Sequence, residues 1–284
     1  MNVLVTGGSG FVGSWIVDAL LERGAKVSIF SRNPKDREGV KTYTSLEPID
    51  GITHIIHAAY TANREMGPIT SLQELETMDE GTERLLYHAV RWPVEKMLVI
   101  SSGAVYDPPN RGIFQESSVP IAPRSVYGVG KRVAELRAYL HGSLQGFTVT
   151  SARLGAFLGP RLPMNRGFAA ADFLEDDRAG RKIRVLGDGT PIRTYQYPTD
   201  MAEWCLKILL AGKHGEAYNV GGDVPIALGA LAEMINRIAG GPGIEILGRP
   251  AGISDVYAPE VKKAMYELGL SNMSLEEAIN RSFV

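Results

Sequence analysis

The chain of 284 residues contains one cysteine, Cys205, so it cannot form an internal disulfide framework or a multi-cysteine metal site. This cysteine lies in the apolar run MAEWCLKILL, which indicates packing in a core rather than a reactive thiol. The five histidines are scattered along the chain and show no metal-ligand spacing. We therefore predict no metal site.

The chain also lacks an excess of charge of either sign and any long apolar run. Its formal net charge of -2 at pH 7 argues against electrostatic binding to nucleic acid or acidic lipid. No apolar stretch reaches the roughly 18 residues that span a bilayer, and residues 1–6 form a buried-strand pattern rather than a signal peptide. We expect a cytoplasmic protein that binds neither nucleic acid nor membranes.

The first half of the sequence alternates short apolar strands with longer helical patterns. The predicted strands are residues 2–6, 26–30, 53–58, 96–100 and 148–153. The predicted helices are one that ends before Gly24, one over residues 72–90 and one over residues 126–140. Strands that alternate with helices imply a parallel sheet covered on both faces. We predict an α/β fold, a doubly wound parallel sheet of the Rossmann type with a smaller, partly discontinuous C-terminal lobe.

A glycine-rich turn, TGGSGFVG, connects the first strand to the first helix. One glycine permits the tight turn, a second lets a pyrophosphate approach the backbone, and a third lets the helix pack closely on the sheet. The helix N-terminus adds N–H donors and a partial positive charge. The strand–turn–helix context makes the spacing informative. We predict a bound nicotinamide dinucleotide that contacts Gly7, Gly10, Phe11, Val12 and Gly13.

The pattern changes after residue 160, where the chain becomes rich in charge and glycine. Further helical patterns occur near residues 168–174, 200–210, 228–238 and 274–281, with a strand at 217–220. We predict a dinucleotide-binding domain over residues 1–160 with a return segment near 191–224. The substrate-binding lobe is then predicted over residues 161–190 and 225–284.

The end of the second strand bears on which nicotinamide cofactor binds. An acidic residue there hydrogen-bonds the ribose 2′-OH of NAD, whereas an arginine accommodates the 2′-phosphate of NADP. The sequence reads IFSRNP, with Ser31 and Arg32 and no acid before Asp36. This pattern favours NADP held by Ser31 and Arg32. NAD stays the alternative, with Arg32 as a solvated surface residue.

The segment YGVGK places Tyr127 and Lys131 four residues apart, on the same face of a helix. An ammonium beside a phenol lowers the phenol pKa from about 10 toward working pH, which suits a general acid or base for a carbonyl/alcohol pair. Ser102 ends the strand KMLVISS, at the sheet edge where open α/β sheets bind ligands. We predict Ser102, Tyr127 and Lys131 as the catalytic residues.

These motifs resemble the extended short-chain dehydrogenases/reductases of the NAD-dependent epimerase/dehydratase family, which act on nucleotide sugars. Further matching segments are HAA (57–59), GTERLL (81–86), SSGAVY (101–106), PRSVYGVGK (123–131), RLGAFLGPR (153–161), GDGTPIR (187–193) and YNVGG (218–222). The resemblance implies that Ala58, Tyr127 and Lys131 contact the cofactor, with Lys131 at the nicotinamide ribose. It further implies that Ser102 hydrogen-bonds the substrate oxygen and that Arg193 contacts the nucleotide diphosphate. A homodimer formed through the helix of Tyr127 is also implied.

Positions at which the sequence differs from the motifs of the family reduce the number of candidate reactions. Its dehydratases carry an Asp-Glu pair after the catalytic Ser or Thr, but Gly103 and Ala104 occupy these positions and cannot transfer a proton. No Cys–His pair matches that of the combined epimerase–reductases, and His57 is interpreted as a packed residue beside the cofactor. Two reactions remain: reduction of a nucleotide-linked 4-keto sugar with Tyr127 as proton donor, and 4-epimerisation.

The choice of cofactor separates these two reactions. A reductase consumes exchanging NADPH, whereas an epimerase recycles one tightly held NAD, so Arg32 favours the ketoreductase. The alternatives are the NAD-dependent 4-epimerase and, from another class, a non-catalytic cofactor-sensing or scaffold protein.

Overall fold

The computed structural model describes residues 1–32, 37–47, 49–60, 68–106, 112–118, 123, 125–162, 168–249 and 255–283. The strands within these residues are β1 Asn2–Thr6, β2 Lys26–Phe30, β3 Val40–Tyr43, β4 His54–His57, β5 Lys96–Ser102, β6 Gly112–Phe114, β7 Thr148–Leu154, β8 Ala156–Phe157, β9 Ile183–Val185, β10 Ile192–Gln196, β11 Ala217–Val220, β12 Pro225–Ala227, β13 Ile244–Ile246 and β14 Val256–Pro259. The helices are α1 Phe11–Glu22, α2 Pro68–Ala89, α3 Val126–Gln145, α4 Ala169–Arg178, α5 Pro198–Ala211, α6 Leu228–Ala239, α7 Lys262–Leu268 and α8 Leu275–Ser282.

The main sheet has seven strands in the order β11-β7-β5-β4-β1-β2-β3. The pairings from β7 through to β3 are all parallel. The strand order reverses between β1 and β4, which is the switch point where open α/β sheets bind their ligands beyond the carboxyl ends of the strands. The predicted α/β fold with a doubly wound parallel sheet is confirmed.

The burial of the strands explains which of them the sequence revealed. Val3, Leu4 and Val5 of β1 are fully buried, as expected for a central parallel strand covered on both faces. By contrast, β3 has the sequence VKTY, contains no buried residue and forms an edge of the sheet. An edge strand of this kind has no continuous apolar run, and it was therefore not predicted from the sequence.

The chain divides into two compact units. The first comprises Met1–Asp107, Val119–Leu154 and Ala202–Tyr218, and the second Pro108–Ser118, Gly155–Met201 and Asn219–Val284. The segment that returns to the first unit is Ala202–Tyr218, which is shorter than the expected 191–224. The reason is that β10 pairs with β8, β12 and β14 inside the second unit. Residues 112–118 belong to the second unit for a similar reason, since β6 pairs with β14.

The second unit has its own sheets and its own core. One sheet has the order β12-β10-β14-β6 with β8 added to β10, and β9 pairs with β13 separately. Its apolar core includes Leu158, Phe173, Leu231, Ile235 and Ile279, all of which are buried.

Helix α5 contributes Cys205 to the first unit. This residue is fully buried, and burial raises the pKa of its thiol, so the prediction of core packing is confirmed. None of the helices in the described part of the chain combines the length and apolarity needed to cross a membrane.

Candidate active site

The glycine turn after β1 packs against the segment that follows β4. Gly7 has φ +71°, and a Cβ atom there would lie 2.7 Å from the carbonyl oxygen of Ala58 and from the backbone of Ala59. A Cβ atom at Gly13 would lie 2.3 Å from the carbonyl oxygen of Gly7. A side chain at Gly7 would therefore push the turn away from the segment after β4, and one at Gly13 would push α1 away from the turn.

The N-terminus of α1 is suited to an anion. Gly10 is the N-cap residue and provides no side-chain hydrogen bond, and the first turn contains no acidic residue. Helix N-termini offer backbone N–H donors and a partial positive charge, so this end of α1 fits the pyrophosphate of a dinucleotide. Phe11 and Val12, both predicted contacts, are the first two residues of the helix and are half-buried.

The end of β2 provides the second predicted part of the cofactor site. The amide of Ser31 donates a hydrogen bond to the carbonyl of Tyr43 (3.0 Å), and Arg32 is exposed. Arg37, another arginine of this connection, forms an ion pair with Asp18 of α1. Asp36, the first acid after β2 in the sequence, lies outside the described residues.

Helix α3 carries Tyr127 close to the segment that follows β5. The hydroxyl of Ser125 caps the helix by accepting a hydrogen bond from the amide of Gly128 (3.0 Å). A Cβ atom at Gly128 would lie 2.4 Å from the carbonyl oxygen of Ala104. The first turn of α3 can therefore lie directly against the residues after Ser102 only because glycine follows Tyr127.

Ser102 is the last residue of β5, is buried, and caps a short 3-10 turn over Gly103–Val105. Its Oγ accepts a hydrogen bond from the amide of Ala104 (3.2 Å). This bond fixes the oxygen and leaves the hydroxyl hydrogen available to donate to a ligand. Gly103 and Ala104 lie in the turn itself and bring no side chain that can transfer a proton.

Lys131 lies one helical turn after Tyr127 and is buried. Its Nζ donates a hydrogen bond to the carbonyl of Ile100 on β5 (2.8 Å) and lies 5.8 Å from the centroid of the Tyr127 ring. Burial lowers the pKa of Lys131 to about 8, although the nearby charge of Glu135 acts in the opposite direction. The structure thus brings Lys131, Tyr127 and the end of β5 together, as the sequence predicted.

Tyr60 also belongs to this cluster, although it was not predicted from the sequence. Its ring centroid lies 4.4 Å from that of Tyr127 at an interplanar angle of 45°. The Nζ of Lys131 lies 5.1 Å from the centroid of the Tyr60 ring, and the hydroxyl of Tyr60 donates a hydrogen bond to Glu74 of α2 (2.7 Å). The position of Tyr60 directly after the HAA segment was the only signal in the sequence.

His57 is held between two threonines. Its Nδ1 lies 2.8 Å from the Oγ1 of Thr6, and its Nε2 lies 3.1 Å from the Oγ1 of Thr82. Burial, together with the charge of Lys131, lowers the pKa of His57 to about 3. The imidazole is therefore neutral at physiological pH, which agrees with a packed residue rather than a base.

A buried ion pair lies behind the cluster. Arg153 of β7 donates to both carboxylate oxygens of Glu135 on α3, at 2.9 and 2.8 Å, and also donates to the hydroxyl of Tyr106 (2.9 Å). Arg132 approaches the same carboxylate at 2.7 Å. The pair links β7, the helix of Lys131 and the segment after Ser102. No pattern in the sequence predicts this ion pair.

Arg193, the predicted diphosphate contact, belongs to the second unit. Its guanidinium forms an ion pair with Asp255 (2.9 Å) and donates to the carbonyls of Asp255 and Ile192. Its contact with a nucleotide stays a prediction. Among the described residues, no three His, Cys, Asp or Glu side chains gather as a metal site requires.

Comparison with known proteins gives consistent matches over nearly the whole chain. The model of the NAD dependent epimerase/dehydratase family matches residues 3–221. UDP-glucuronic acid decarboxylase 1 of Xenopus tropicalis is 29% identical over 302 residues, covering 99% of this chain and 71% of that protein.

Two solved structures extend this comparison. The UDP-glucose 4-epimerase of Thermotoga maritima with UDP-glucose superposes with a TM-score of 0.85 at 24% identity, covering 99% of this chain and 97% of that one. The UDP-glucose 4-epimerase of Thermus thermophilus in complex with NAD gives a TM-score of 0.82 at 26% identity, with the same two coverages.

Proposed function

This chain belongs to the NAD dependent epimerase/dehydratase family and is an enzyme of the extended short-chain dehydrogenase/reductase type; from that premise we propose that it is an NAD-dependent 4-epimerase of a nucleotide sugar. The family membership leaves the non-catalytic alternative without support. Hydride leaves a ring carbon of the sugar and returns to its other face, so the reaction is redox-neutral.

One observation carries the proposal. The structure holds the cluster of Ser102, Tyr127 and Lys131, and the two residues directly after Ser102 in the 3-10 turn are Gly103 and Ala104. The cluster suits the exchange of a proton with an alcohol or carbonyl oxygen. The turn holds no side chain that can remove water, which argues against dehydration after the oxidation of the sugar carbon. The NAD-bound epimerase of Thermus thermophilus supports the choice of NAD.

Each residue of the site has a separate role in the proposed reaction. NAD, when bound, supplies the acceptor and donor of hydride, held by the glycine turn at the N-terminus of α1. Tyr127 takes the proton of the sugar hydroxyl as that carbon loses hydride, and returns the proton when the carbonyl is reduced. Ser102 donates its hydroxyl hydrogen to the same sugar oxygen. The ammonium of Lys131 stabilises the phenolate of Tyr127 while its other N–H groups hold the nicotinamide ribose.

The second unit is proposed to bind the nucleotide part of the substrate. Arg193 is the diphosphate contact in this proposal, since an arginine guanidinium suits bidentate phosphate recognition. The UDP-glucose bound to the Thermotoga maritima epimerase supports a nucleotide sugar as the ligand class.

A second candidate, reduction of a nucleotide-linked 4-keto sugar by NADPH, is favoured by Arg32. This exposed arginine follows β2, where a 2′-phosphate would lie. Titration of the purified protein with NADH and NADPH distinguishes the candidates. Preferential binding of NADPH that Arg32→Ala abolishes and Arg37→Ala preserves would replace the epimerase proposal with the reductase. Arg37 is a matched control because Asp18 already engages it.

Tyr127→Phe tests the assignment of the proton carrier. The substitution removes the hydroxyl and keeps the ring, so turnover should fall by about a hundredfold or more, while the Kd for NAD changes by less than about threefold. Tyr87→Phe on α2 serves as a matched control because Tyr87 is 56% exposed and outside the cluster. Unchanged turnover in Tyr127→Phe would exclude the assignment.

The substrate panel should contain nucleotide-linked hexoses, their 4-keto forms and a nucleotide-linked hexuronic acid. An epimerase converts a hexose into its C4 epimer without added reductant. A reductase consumes NADPH only with the keto forms. Release of carbon dioxide from the hexuronic acid would instead indicate a decarboxylase, the activity named for the Xenopus relative.

A homodimer through α3 is also proposed. Leu136, Leu140 and Leu144 recur every four residues on this helix and are 45%, 56% and 80% exposed. An apolar stripe of this kind is typical of a surface that a second subunit covers. Sedimentation analysis should give twice the mass of the chain, and Leu140→Glu with Leu144→Glu should give a monomer. A monomeric wild-type protein would contradict the proposal.

A further inference from the structure

The ring of Tyr60 lies against the two residues that carry the proposed proton chemistry. We propose that Tyr60 is a positioning residue, which packs against the ring of Tyr127 and, together with that ring, contacts the ammonium of Lys131 from one side. The inference rests on the proposed function, because Tyr60 acts through Tyr127 and Lys131 rather than on the sugar.

The geometry supports two separate contacts. The Tyr60 and Tyr127 rings are 4.4 Å apart and tilted by 45°, within the range of favourable aromatic pairs. The Nζ of Lys131 lies 5.1 Å from the Tyr60 centroid and 5.8 Å from the Tyr127 centroid, within the 6 Å range of cation–π attraction. Because Lys131 is buried, few water molecules compete for its charge.

Tyr60 is itself fixed at both ends. Its hydroxyl donates to Glu74 at 2.7 Å, so α2 restrains the outer edge of the ring. The backbone before it is held by the amide of Ala59, which donates to Thr6 Oγ1 at 3.1 Å. A ring restrained in this way can hold the orientation of its neighbour rather than follow it.

The consequences differ between the ring and the hydroxyl. Removal of the ring in Tyr60→Ala deprives Tyr127 of its packing partner and Lys131 of one of its two aromatic contacts. Aromatic and cation–π contacts of this kind together correspond to a change of about tenfold in rate. Loss of the hydroxyl in Tyr60→Phe keeps both ring contacts and removes only the bond to Glu74.

Kinetics on the full-length enzyme test the proposal. Tyr60→Ala should lower kcat by about tenfold, with the KM for the sugar and the Kd for NAD within about threefold of wild type. Tyr60→Phe and Glu74→Gln should both stay within about threefold of wild-type kcat. Tyr87→Ala is the matched control, since Tyr87 also has a cation over its ring, from Arg91 at 4.3 Å. It should leave kcat unchanged.

Two results would overturn the proposal. One is a kcat of Tyr60→Ala within twofold of wild type. The other is a loss that appears equally in Tyr60→Phe, because the hydroxyl and not the ring would then matter. Unchanged turnover in Tyr127→Phe would instead remove the proposed function, so the two failures are distinct.

A spectroscopic measurement tests the contact without turnover. Protein labelled with 3-fluorotyrosine gives a fluorine resonance for Tyr127, identified by its absence in Tyr127→Phe. Tyr60→Ala should shift this resonance, because a neighbouring ring at 4.4 Å alters the local field, whereas Tyr87→Ala should not. A resonance that does not move in Tyr60→Ala would also overturn the proposal.

Discussion

Replacement of Arg153 by methionine removes a buried cation that joins three parts of the first unit. Arg153 is 4% exposed and Glu135 is 5% exposed, and the two side chains form a two-pronged pair at 2.9 and 2.8 Å. Methionine has a similar length and no charge. The variant therefore leaves the Glu135 carboxylate buried without its two-pronged partner, with the half-exposed Arg132 still bonded to it and the hydroxyl of Ser101 beside it. It also removes the bond to Tyr106.

The size of the effect follows from the desolvation of the remaining charge. Removal of one partner from a buried ion pair costs about 3–5 kcal/mol. A chain of this size loses about 2 °C in Tm for each kcal/mol, so we expect a drop of about 6–10 °C at neutral pH. In comparison, Arg23 forms an exposed pair with Glu203. Arg23→Met should therefore cost less than about 1 kcal/mol.

The pH dependence gives the sign of the electrostatic effect. Burial alone would raise the pKa of Glu135, but the hydrogen bonds and charge of Arg153, with help from Arg132, hold it below its usual value. The pair therefore stabilises the fold above the unfolded-state pKa of about 4.3 and loses this effect as the pH falls through the lower folded value. In Arg153→Met the carboxylate pKa is raised instead. The difference in the free energy of unfolding between the wild type and Arg153→Met should therefore increase as the pH rises from about 4.5 to 7.5.

Thermal unfolding followed by circular dichroism at these two pH values provides the assay. The double variant Glu135→Gln with Arg153→Met removes both charges and should recover part of the Tm lost in the single variant. A Tm loss below about 2 °C, a gap that does not change with pH, or a double variant no more stable than the single would refute the reasoning.

Three further predictions concern the site. Gly13→Ala places a Cβ atom 2.3 Å from the carbonyl oxygen of Gly7. The Kd for NAD should therefore rise by about tenfold or more in a fluorescence titration. An unchanged Kd would contradict the proposal that this turn binds the cofactor. Asp255→Asn removes the charge opposite Arg193, so a nucleoside diphosphate should bind up to about fivefold more tightly in calorimetry. The gain is small because a half-exposed ion pair contributes little free energy. Weaker binding would argue against Arg193 as the contact. Burial lowers the pKa of Lys131 to about 8. The value of kcat/KM should therefore decline as the pH rises above about 8 and the ammonium is lost. A flat pH profile up to pH 10 would refute the role of the charged Lys131 in turnover.

The parts of the site that the sequence predicted are those with local causes. The glycine turn lies between consecutive elements, and its spacing alone specifies a strand, a turn and a helix. Tyr127 and Lys131 share a helix face because four residues complete about one helical turn. Ser102 follows an apolar strand, and the carboxyl ends of parallel strands meet at one edge of the sheet.

The missed parts depend on pairs that are distant in the sequence. Arg153 meets Tyr106 across 47 residues and Arg193 meets Asp255 across 62, and no periodicity links such positions. Tyr60 follows β4 without any helix or strand pattern of its own. Its contact with Tyr127 exists because the parallel sheet brings the end of β4 next to β5 and α3 packs against β5.

The sequence by itself determined the α/β alternation, the dinucleotide turn and the helical spacing of Tyr127 and Lys131, because each depends on neighbouring residues and on the periods of helix and strand. Only the tertiary structure decided what surrounds them: the neutral His57 between its threonines, the ion pair of Glu135 and Arg153, and the ring of Tyr60 beside Lys131. These contacts arise from the packing of separate elements, and packing depends on the whole fold rather than on any local pattern.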